Sequence, residues 1–290
     1  MIRFSKYIWL YAFISGIVVI PGIISLLLWG LRPAVDFTGG TLVELRVEPQ
    51  ITQAILENQA KTINLEFSAI QKSADGSYLL RMKKEEDAKV ASLTALLTRD
   101  ATNAAIVLRQ ETVGPVLGKE LLTKTLSAAV VAVLAILLYI AYAFKSITYG
   151  VAAVVALLHD LLVILGTYSL LGHFFAVEVD TLFVTAFLTT MSFSVHDTIV
   201  VFDRIREYLR KDSRHSFEEV SDIALTETMG RSLTNSFTIL FMLLALVLMG
   251  GSTTQWFVTA LLIGTVSGTY SSPFVATPVL ILWERWKKKR

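Results

Sequence analysis

The sequence predicts a polytopic α-helical membrane protein with six transmembrane helices and one α+β external domain between the first and second of them. Hydrophobic residues make up 54% of the 290-residue chain, whereas soluble domains contain roughly 45–50%, and the mean hydropathy is +0.61. The apolar residues are concentrated in six runs, and a long polar segment follows the first run. This distribution indicates a multi-pass membrane protein with one polar insertion.

The apolar runs are about as long as the roughly 20 residues that a helix needs to cross a bilayer. They lie at 8–29, 126–144, 151–171, 181–202, 231–249 and 257–282. The first run is longer than the apolar core of a signal peptide and has no clear small-x-small cleavage site after it, so we expect an uncleaved helix. The last run contains Pro273 and Pro278, which should interrupt it.

The polar segment after the first run has the periodicity of a small mixed domain. Strands are predicted at 41–47, 65–71, 78–82 and 104–109, and helices at 52–61 and 85–97. The Asp75-Gly76 pair is a strong hairpin signal between the two middle strands. The resulting order, β-α-β-β-α-β, is typical of the ferredoxin-like arrangement, which by itself implies no function.

These elements give four predicted parts of the chain. Residues 1–30 form the cytoplasmic N-terminus and first helix, and residues 31–120 form the ferredoxin-like external domain. Residues 121–283 form a five-helix bundle with a cytoplasmic loop at 203–230, and residues 284–290 form a basic cytoplasmic tail.

Lysine and arginine distribution sets the predicted orientation. With six spans, all the basic clusters fall on one side of the membrane, whereas the short loops 172–180 and 250–255 on the other side contain no lysine or arginine. The clusters comprise Arg3, Lys6, Lys145, Arg204, Arg206, Arg210, Lys211, Arg214, Arg285, Lys287, Lys288, Lys289 and Arg290. The positive-inside rule then places both termini in the cytoplasm and the polar domain in the periplasm. Nucleic-acid binding is disfavoured, because topology already explains the basic segments.

Asp197 is the first candidate functional residue, because it lies inside the fourth apolar run with His196 beside it. A carboxylate near the bilayer core costs about 2.5–3.5 kcal/mol on insertion scales, so a chain keeps it for a partner, a water path or a function. Ser194 lies one helical turn earlier and Thr190 one turn further, so this polar stripe should face a helix bundle. The alternative is a structural aspartate bonded to a neighbouring helix.

Arg231 opens the fifth run, with Asn235 one turn later. Adjacent antiparallel helices bring their cytoplasmic ends together, so the Arg231 side chain could reach Asp197. The alternative is that Arg231 extends to the lipid headgroups.

The pair His159-Asp160 lies near the middle of the third run, where a charge is most costly. Proton relay and a neutral structural hydrogen bond are both open interpretations. An imidazole can exchange a proton where an amide cannot, so His196 either adds a relay step or fills hydrogen-bonding space. We take Asp197, Arg231, Asp160 and His196 as the candidate proton pathway, supported by Ser194, Thr198, Asn235 and His159.

Several functional classes lack support in the sequence. The chain has no cysteine and only four histidines, and no HExxH-type metal motif or phosphate-binding GxxxxGK[ST] loop is present. No nucleophile-and-base constellation is visible. We therefore expect a protein that is not an enzyme, binds no metal or cofactor and uses an ion gradient as its energy source.

Two motifs carry a family resemblance. The run DTIVVFDRIRE at 197–207 matches a signature of the SecF family throughout, although Ser192-Phe193 replaces Gly-Tyr upstream and His196 replaces Asn. The run Asp36-Phe37-Thr38-Gly39-Gly40 resembles the DFTGG motif that opens the first external domain of SecD and SecF. The chain therefore resembles the SecF membrane subunits of bacterial SecDF complexes, in the resistance-nodulation-division superfamily.

The resemblance implies a subunit of the Sec protein-export machinery in the cytoplasmic membrane. Its implied role is to promote preprotein translocation with the proton-motive force. The implied partners are SecD, the SecYEG translocon, unfolded preprotein and the lipid bilayer. A passive scaffold of the translocon and a small-molecule exporter subunit of the same superfamily remain as alternatives.

Overall fold

A computed structural model describes residues 3–47, 51–72, 76–82, 89–97, 105–144, 146–211 and 215–288. The chain divides into two compact units. One comprises Met1–Arg32 together with Ala128–Arg290, and the other comprises Pro33–Ser127.

Ten α-helices and four strands are described, with a 3-10 turn at Phe4–Lys6 and a π-helical turn at Ser272–Ala276. The helices are α1 (Ile8–Leu28), α2 (Val35–Thr38), α3 (Gln53–Thr62), α4 (Lys89–Leu97), α5 (Pro115–Phe144), α6 (Ile147–Phe175), α7 (Thr181–Lys211), α8 (Phe217–Met249), α9 (Ser252–Ser271) and α10 (Thr277–Lys288). The strands are β1 (Gly40–Val47), β2 (Phe67–Lys72), β3 (Tyr78–Met82) and β4 (Ala105–Val113).

Five of the described helices, α1, α5, α6, α7 and α8, are long and apolar enough to cross a membrane. The sixth predicted run, 257–282, is occupied by most of α9, the π-helical turn and the start of α10. Pro273 lies in the π-helical turn, where its missing N–H interrupts the regular ladder. Helix α9 contains several serine and threonine residues, which lower its hydropathy, and Thr265, Ser267 and Ser271 among them are buried.

Helices α7 and α8 continue well beyond the predicted membrane segments and form most of the segment 203–230 that was predicted as a cytoplasmic loop. Helix α7 ends at Lys211, and α8 begins at Phe217 with a capping box between Ser216 and Glu219. Hydropathy indicates which part of a helix lies in apolar surroundings, whereas capping residues determine where the helix itself begins.

The first helix packs against α6 at a backbone-to-backbone crossing. A Cβ atom on Gly166 would lie 2.5 Å from the Cα of Gly22, so neither position has room for a side chain. One turn later the Ser25 and Ser169 hydroxyl oxygens are 2.7 Å apart, and Ser169 donates to the carbonyl of Gly30 at 2.7 Å. These contacts hold α1 along α6.

The second unit contains a four-stranded antiparallel sheet with the order β2-β3-β1-β4. Along the chain its elements follow the order β-α-β-β-α-β that the sequence predicts, with α3 and α4 as the two helices. Its core comprises residues from both strands and helices, among them Val43, Leu45, Leu56, Leu80 and Leu93. Asp75 and the start of the second predicted helix, 85–88, lie outside the described residues, as do Lys145, Arg214, Lys289 and Arg290.

The glycine pair after Asp36 is required by backbone geometry. Helix α2, which contains Asp36, ends at Thr38; the following Gly39 has a φ of +74°, and Gly40 has a φ of +131°. A Cβ on Gly40 would lie 2.8 Å from the carbonyl oxygen of Met82. Only glycine adopts these conformations without strain and permits this approach.

Candidate functional site

The Asp160 carboxylate lies near the middle of α6 and accepts hydrogen bonds from three serine hydroxyls. The residue is 2% exposed. Its Oδ2 accepts from Ser194 Oγ at 2.5 Å and from Ser271 Oγ at 2.6 Å. Its Oδ1 accepts from Ser267 Oγ at 2.5 Å. Three helices, α6, α7 and α9, are joined at this carboxylate, and we call these four residues with His159 the Asp160 cage.

The cage exists because α7 and α9 approach each other closely. A Cβ on Gly264 would lie 2.3 Å from Thr190 Cγ2, and one on Gly268 would lie 3.2 Å from Ser194. Serine is a short side chain, so only such close backbones bring hydroxyls from α7 and α9 to one carboxylate. Ser267 and Ser271 are four residues apart and therefore share a face of α9.

His159 contributes the remaining contact to the cage. Its Nδ1 lies 3.0 Å from Asp160 Oδ1, and its side chain is 10% exposed. Its Nε2 is the only buried side-chain polar atom in the described part of the chain without a hydrogen-bond partner. The ring lies 6.0 Å from that of Tyr270, centroid to centroid.

The hydroxyl and imidazole groups around Asp160 are placed to donate hydrogen bonds to its carboxylate oxygens. Hydrogen bonds to a carboxylate stabilise its negative charge, and the cage supplies up to four donors to two oxygens. Within the described ranges no lysine or arginine pairs with Asp160. A proton added to the carboxylate would displace one of these donors, so protonation and the arrangement of three helices are coupled through short hydroxyl groups.

The inward face of α7 differs from the predicted stripe. Thr190, Ser194 and Thr198 are buried, whereas Asp197 is half-buried and His196 is exposed. Thr198 shares a hydrogen bond of 2.9 Å with Ser272. Asp197 instead lies at the edge facing α8, where it accepts a hydrogen bond of 2.7 Å from Ser232 Oγ.

The expected ion pair between Asp197 and Arg231 is not formed in this structure. Arg231 and Asn235 are exposed on α8, and no ion pair of Arg231 occurs among the described residues. Neighbouring residues of an α-helix point about 100° apart, so a helix that directs Ser232 toward Asp197 directs Arg231 elsewhere.

The serines that α9 contributes to the cage were not predicted from the sequence. Three serine residues in this region are each less than 6% exposed: Ser267, Ser271 and Ser272. Hydropathy does not identify them, because the value for serine is close to neutral and hardly changes the average of an apolar run. The available signal was their spacing, Ser-x-x-x-Ser-Ser, on a segment that also has glycines at 264 and 268. That pattern marks a close helix contact able to present hydroxyls.

A second polar cluster joins the ends of α7 and α8 beyond the apolar segments. Arg204 forms ion pairs with Glu207 and Glu227, and hydrogen bonding from Arg204 lowers the pKa of Glu227. Nearby, Ser5 donates its backbone N–H at 2.9 Å and its hydroxyl at 2.7 Å to Asp222. Asp222 is 3% exposed, so the N-terminal turn is fixed to α8.

Comparison with known proteins assigns the chain to a family. Residues 93–286 match the family described as protein export membrane protein SecD/SecF, C-terminal, and residues 25–51 match the SecD/SecF GG motif. A protein translocase subunit SecF of Thermobaculum terrenum is 41% identical over 95% of this chain and 92% of the relative. A SecF of Anaerolinea thermophila is 36% identical with the same coverage of both chains.

Solved structures agree with the sequence matches. A crystal structure of SecDF, described as a translocon-associated membrane protein of Thermus thermophilus, has a TM-score of 0.87 and 30% identity to this chain. The match covers 98% of this chain and 39% of the SecDF chain. The chain therefore belongs to the SecF family of protein translocase subunits, multi-pass membrane proteins of the SecD/SecF type.

Proposed function

We propose that the chain acts with a SecD-type partner to promote preprotein translocation across the cytoplasmic membrane, and that the proton-motive force drives this action. Its relatives are named as protein translocase subunits. The chain matches 35% of a Thermus thermophilus SecDF translocase subunit. The remaining part of that longer protein corresponds to what a separate SecD-type subunit would supply.

The observation that carries the proton-coupling proposal is the Asp160 cage. A charge at the centre of a membrane-spanning helix costs on the order of 2.5–3.5 kcal/mol, and such groups occur in proton relays. Asp160 is buried, bonded to hydroxyls from two other helices and unpaired with any described lysine or arginine. A group of this kind changes its contacts with neighbouring helices when it takes up a proton.

Asp197 and Arg231 form the second part of the proposed pathway. In the state described here Asp197 is bonded to Ser232, and we propose that Arg231 pairs with it in another state. Pairing with a cation favours the ionised carboxylate, whereas separation in an apolar setting favours the protonated one. His196 and Asn235, exposed on the same two helices, would line the approach to this pair.

The proposed architecture has six membrane spans, with both termini in the cytoplasm and a ferredoxin-like domain outside. The strand order β2-β3-β1-β4 supports the fold of that domain. The succession α9, π-helical turn and α10 supports a sixth, interrupted span, and the one-sided basic clusters support the orientation. The proposed partners beyond SecD are the SecYEG channel, unfolded preprotein and anionic lipid.

Reconstitution tests this function directly. The chain, a SecD-type partner and the SecYEG channel are incorporated in proteoliposomes, and preprotein import is measured with and without an imposed proton gradient. Asp160→Asn and Asp197→Asn preserve shape and fix a neutral side chain, so both should assemble normally and lose the gradient-dependent part of the rate. Full gradient stimulation in both variants would instead support a passive scaffold.

A further inference from the structure

The unpartnered nitrogen of His159 is the starting point. Its Nε2 is buried and without a hydrogen-bond partner, although the ring is held by Asp160 through Nδ1. Burying a polar atom without a partner is unfavourable, and native structures satisfy nearly all such atoms. The atom is therefore expected to acquire a partner during the working cycle of the protein.

The hydrogen bond to Asp160 fixes which nitrogen carries the proton. When Asp160 is ionised, it only accepts hydrogen bonds, so Nδ1 must be the protonated nitrogen of a neutral His159 ring. Nε2 then presents a free lone pair on the far side of the ring from Asp160. A neutral imidazole in this tautomer accepts a proton at one nitrogen and can release another proton at the second.

We propose that His159 is the relay through which Asp160 exchanges its proton with water on the α1 side of the helical unit. Nε2 forms an N–H bond with a proton from a hydronium ion, which leaves water. The Nδ1–H bond then breaks as an O–H bond forms at Asp160 Oδ1, and the ring is neutral again. The reverse steps release the proton. This inference rests on the proposed proton-coupled function and specifies how its central group is reached.

The surroundings of His159 indicate the side from which water arrives. On the side of α7 and α9, the Asp160 carboxylate accepts hydrogen bonds from Ser194, Ser267 and Ser271. The His159 ring instead lies near Tyr270, whose hydroxyl donates to the Tyr11 carbonyl at 2.9 Å. Ser15 Oγ donates to that tyrosine hydroxyl at 3.3 Å, so polar groups continue toward α1. In the proposed orientation these α1 residues lie in its cytoplasmic half.

Few charged or titratable groups face His159. Among the described residues they are Asp160 on its own helix and Tyr270 on α9, with Tyr11 on α1 reached through Tyr270. Asp197 on α7 is bonded to Ser232. Phe274 packs against Tyr11 and Tyr270 at ring distances of 4.7 and 5.1 Å, forming an aromatic wall beside the polar groups. Proton exchange would therefore require this wall to open to water.

A pH jump on the full chain in phospholipid nanodiscs tests the relay without requiring export. Infrared difference spectroscopy follows the carboxylic-acid C=O band that disappears in Asp160→Asn. His159→Gln keeps a polar side chain of similar size but transfers no proton, so protonation of Asp160 should slow by roughly 100-fold and reach the same final amplitude. His173→Gln, which replaces an exposed histidine near the end of α6, is the matched control and should leave the rate unchanged.

Chemical rescue separates relay from structural support. In His159→Ala, imidazole added to the bath should restore the rate, because it can occupy the space of the missing ring. An unchanged rate in His159→Gln would overturn the relay, and so would a slowed rate that imidazole does not restore in His159→Ala. Loss of gradient coupling is measured separately in the export assay with Asp160→Asn, so failure of the proposed function and failure of the relay are distinguishable.

Discussion

Ser194 on α7 donates a hydrogen bond of 2.5 Å to the Asp160 carboxylate on α6, across 34 positions in the sequence. The same carboxylate accepts from Ser267 and Ser271 on α9. One buried acid thereby fixes the relative positions of three helices. Any change in its protonation state must alter these contacts, which links a chemical event to helix packing.

The proposed orientation predicts the sidedness of chemical labelling. The chain has no native cysteine, so single cysteines report one position each. Lys61→Cys in α3 and Thr254→Cys in α9 should react with an impermeant thiol reagent from outside sealed cells. Lys211→Cys at the end of α7 should react only after the membrane is permeabilised. External labelling at position 211 would exclude the six-span topology.

The unit Pro33–Ser127 is predicted to fold alone, because its core is formed by its own strands and helices. A protein of residues 35–119 should show strand and helix signals in circular dichroism and a cooperative melt. Leu56 is 0% exposed, whereas Ile55 beside it is 40% exposed. In denaturant titrations Leu56→Ala should lower the free energy of unfolding by about 2–5 kcal/mol.

The matched control in that experiment is Ile55→Ala, which should change the free energy of unfolding by no more than about 0.5 kcal/mol. Equal effects of the two substitutions, or a non-cooperative melt, would contradict an independently folded domain with this core.

The crossing of α1 and α6 predicts a large effect of one methyl group. In Gly166→Ala the new Cβ would lie 2.5 Å from Gly22 Cα, so the helices must separate at a cost of about 1–3 kcal/mol. Thermal unfolding of the detergent-solubilised chain should therefore shift to lower temperature. Gly150→Ala in the same helix meets no atom within 4 Å and should be neutral or slightly stabilising. Identical melting of the two variants would refute the close crossing.

The proposed pairing of Arg231 with Asp197 in another state predicts that Arg231 is needed for gradient-stimulated translocation, although no ion pair of Arg231 occurs among the residues described in this state. Arg231→Gln should remove gradient-stimulated translocation in proteoliposomes, and Arg231→Lys should reduce it, because lysine lacks the planar guanidinium. Arg210→Lys on the exposed end of α7 is the control and should behave as wild type. Full stimulation in Arg231→Gln would mean that the arginine only contacts headgroups.

Hydropathy and periodicity predicted the helical membrane class and the element order of the polar domain from the sequence. They did not determine which face of α7 is inward. From Ser194, Asp197 lies about 60° around the helix in one direction and Thr198 about 40° in the other, so both were compatible with a buried stripe. The structure places Thr198 inside and Asp197 at the edge.

The Asp160 cage could be predicted only in part. His159 and Asp160 are evident as polar residues in an apolar run, but their partners Ser267 and Ser271 lie 107 and 111 positions from Asp160. Contacts at such separation depend on which helices pack together, and serine alone gives no signal for this. Gly264 and Gly268 allow α9 to approach α7, but the sequence does not show which helix they face.

The most direct test of proton coupling is the ratio of preprotein translocation rates with and without a proton gradient, measured for Asp160→Asn beside Asp222→Asn. Both aspartates are buried, at 2% and 3% exposure, but only Asp160 joins helices α6, α7 and α9. We expect a ratio near one for Asp160→Asn and a ratio equal to wild type for Asp222→Asn, with normal complex assembly in both. A wild-type ratio in a fully assembled Asp160→Asn complex would contradict the central role of this carboxylate.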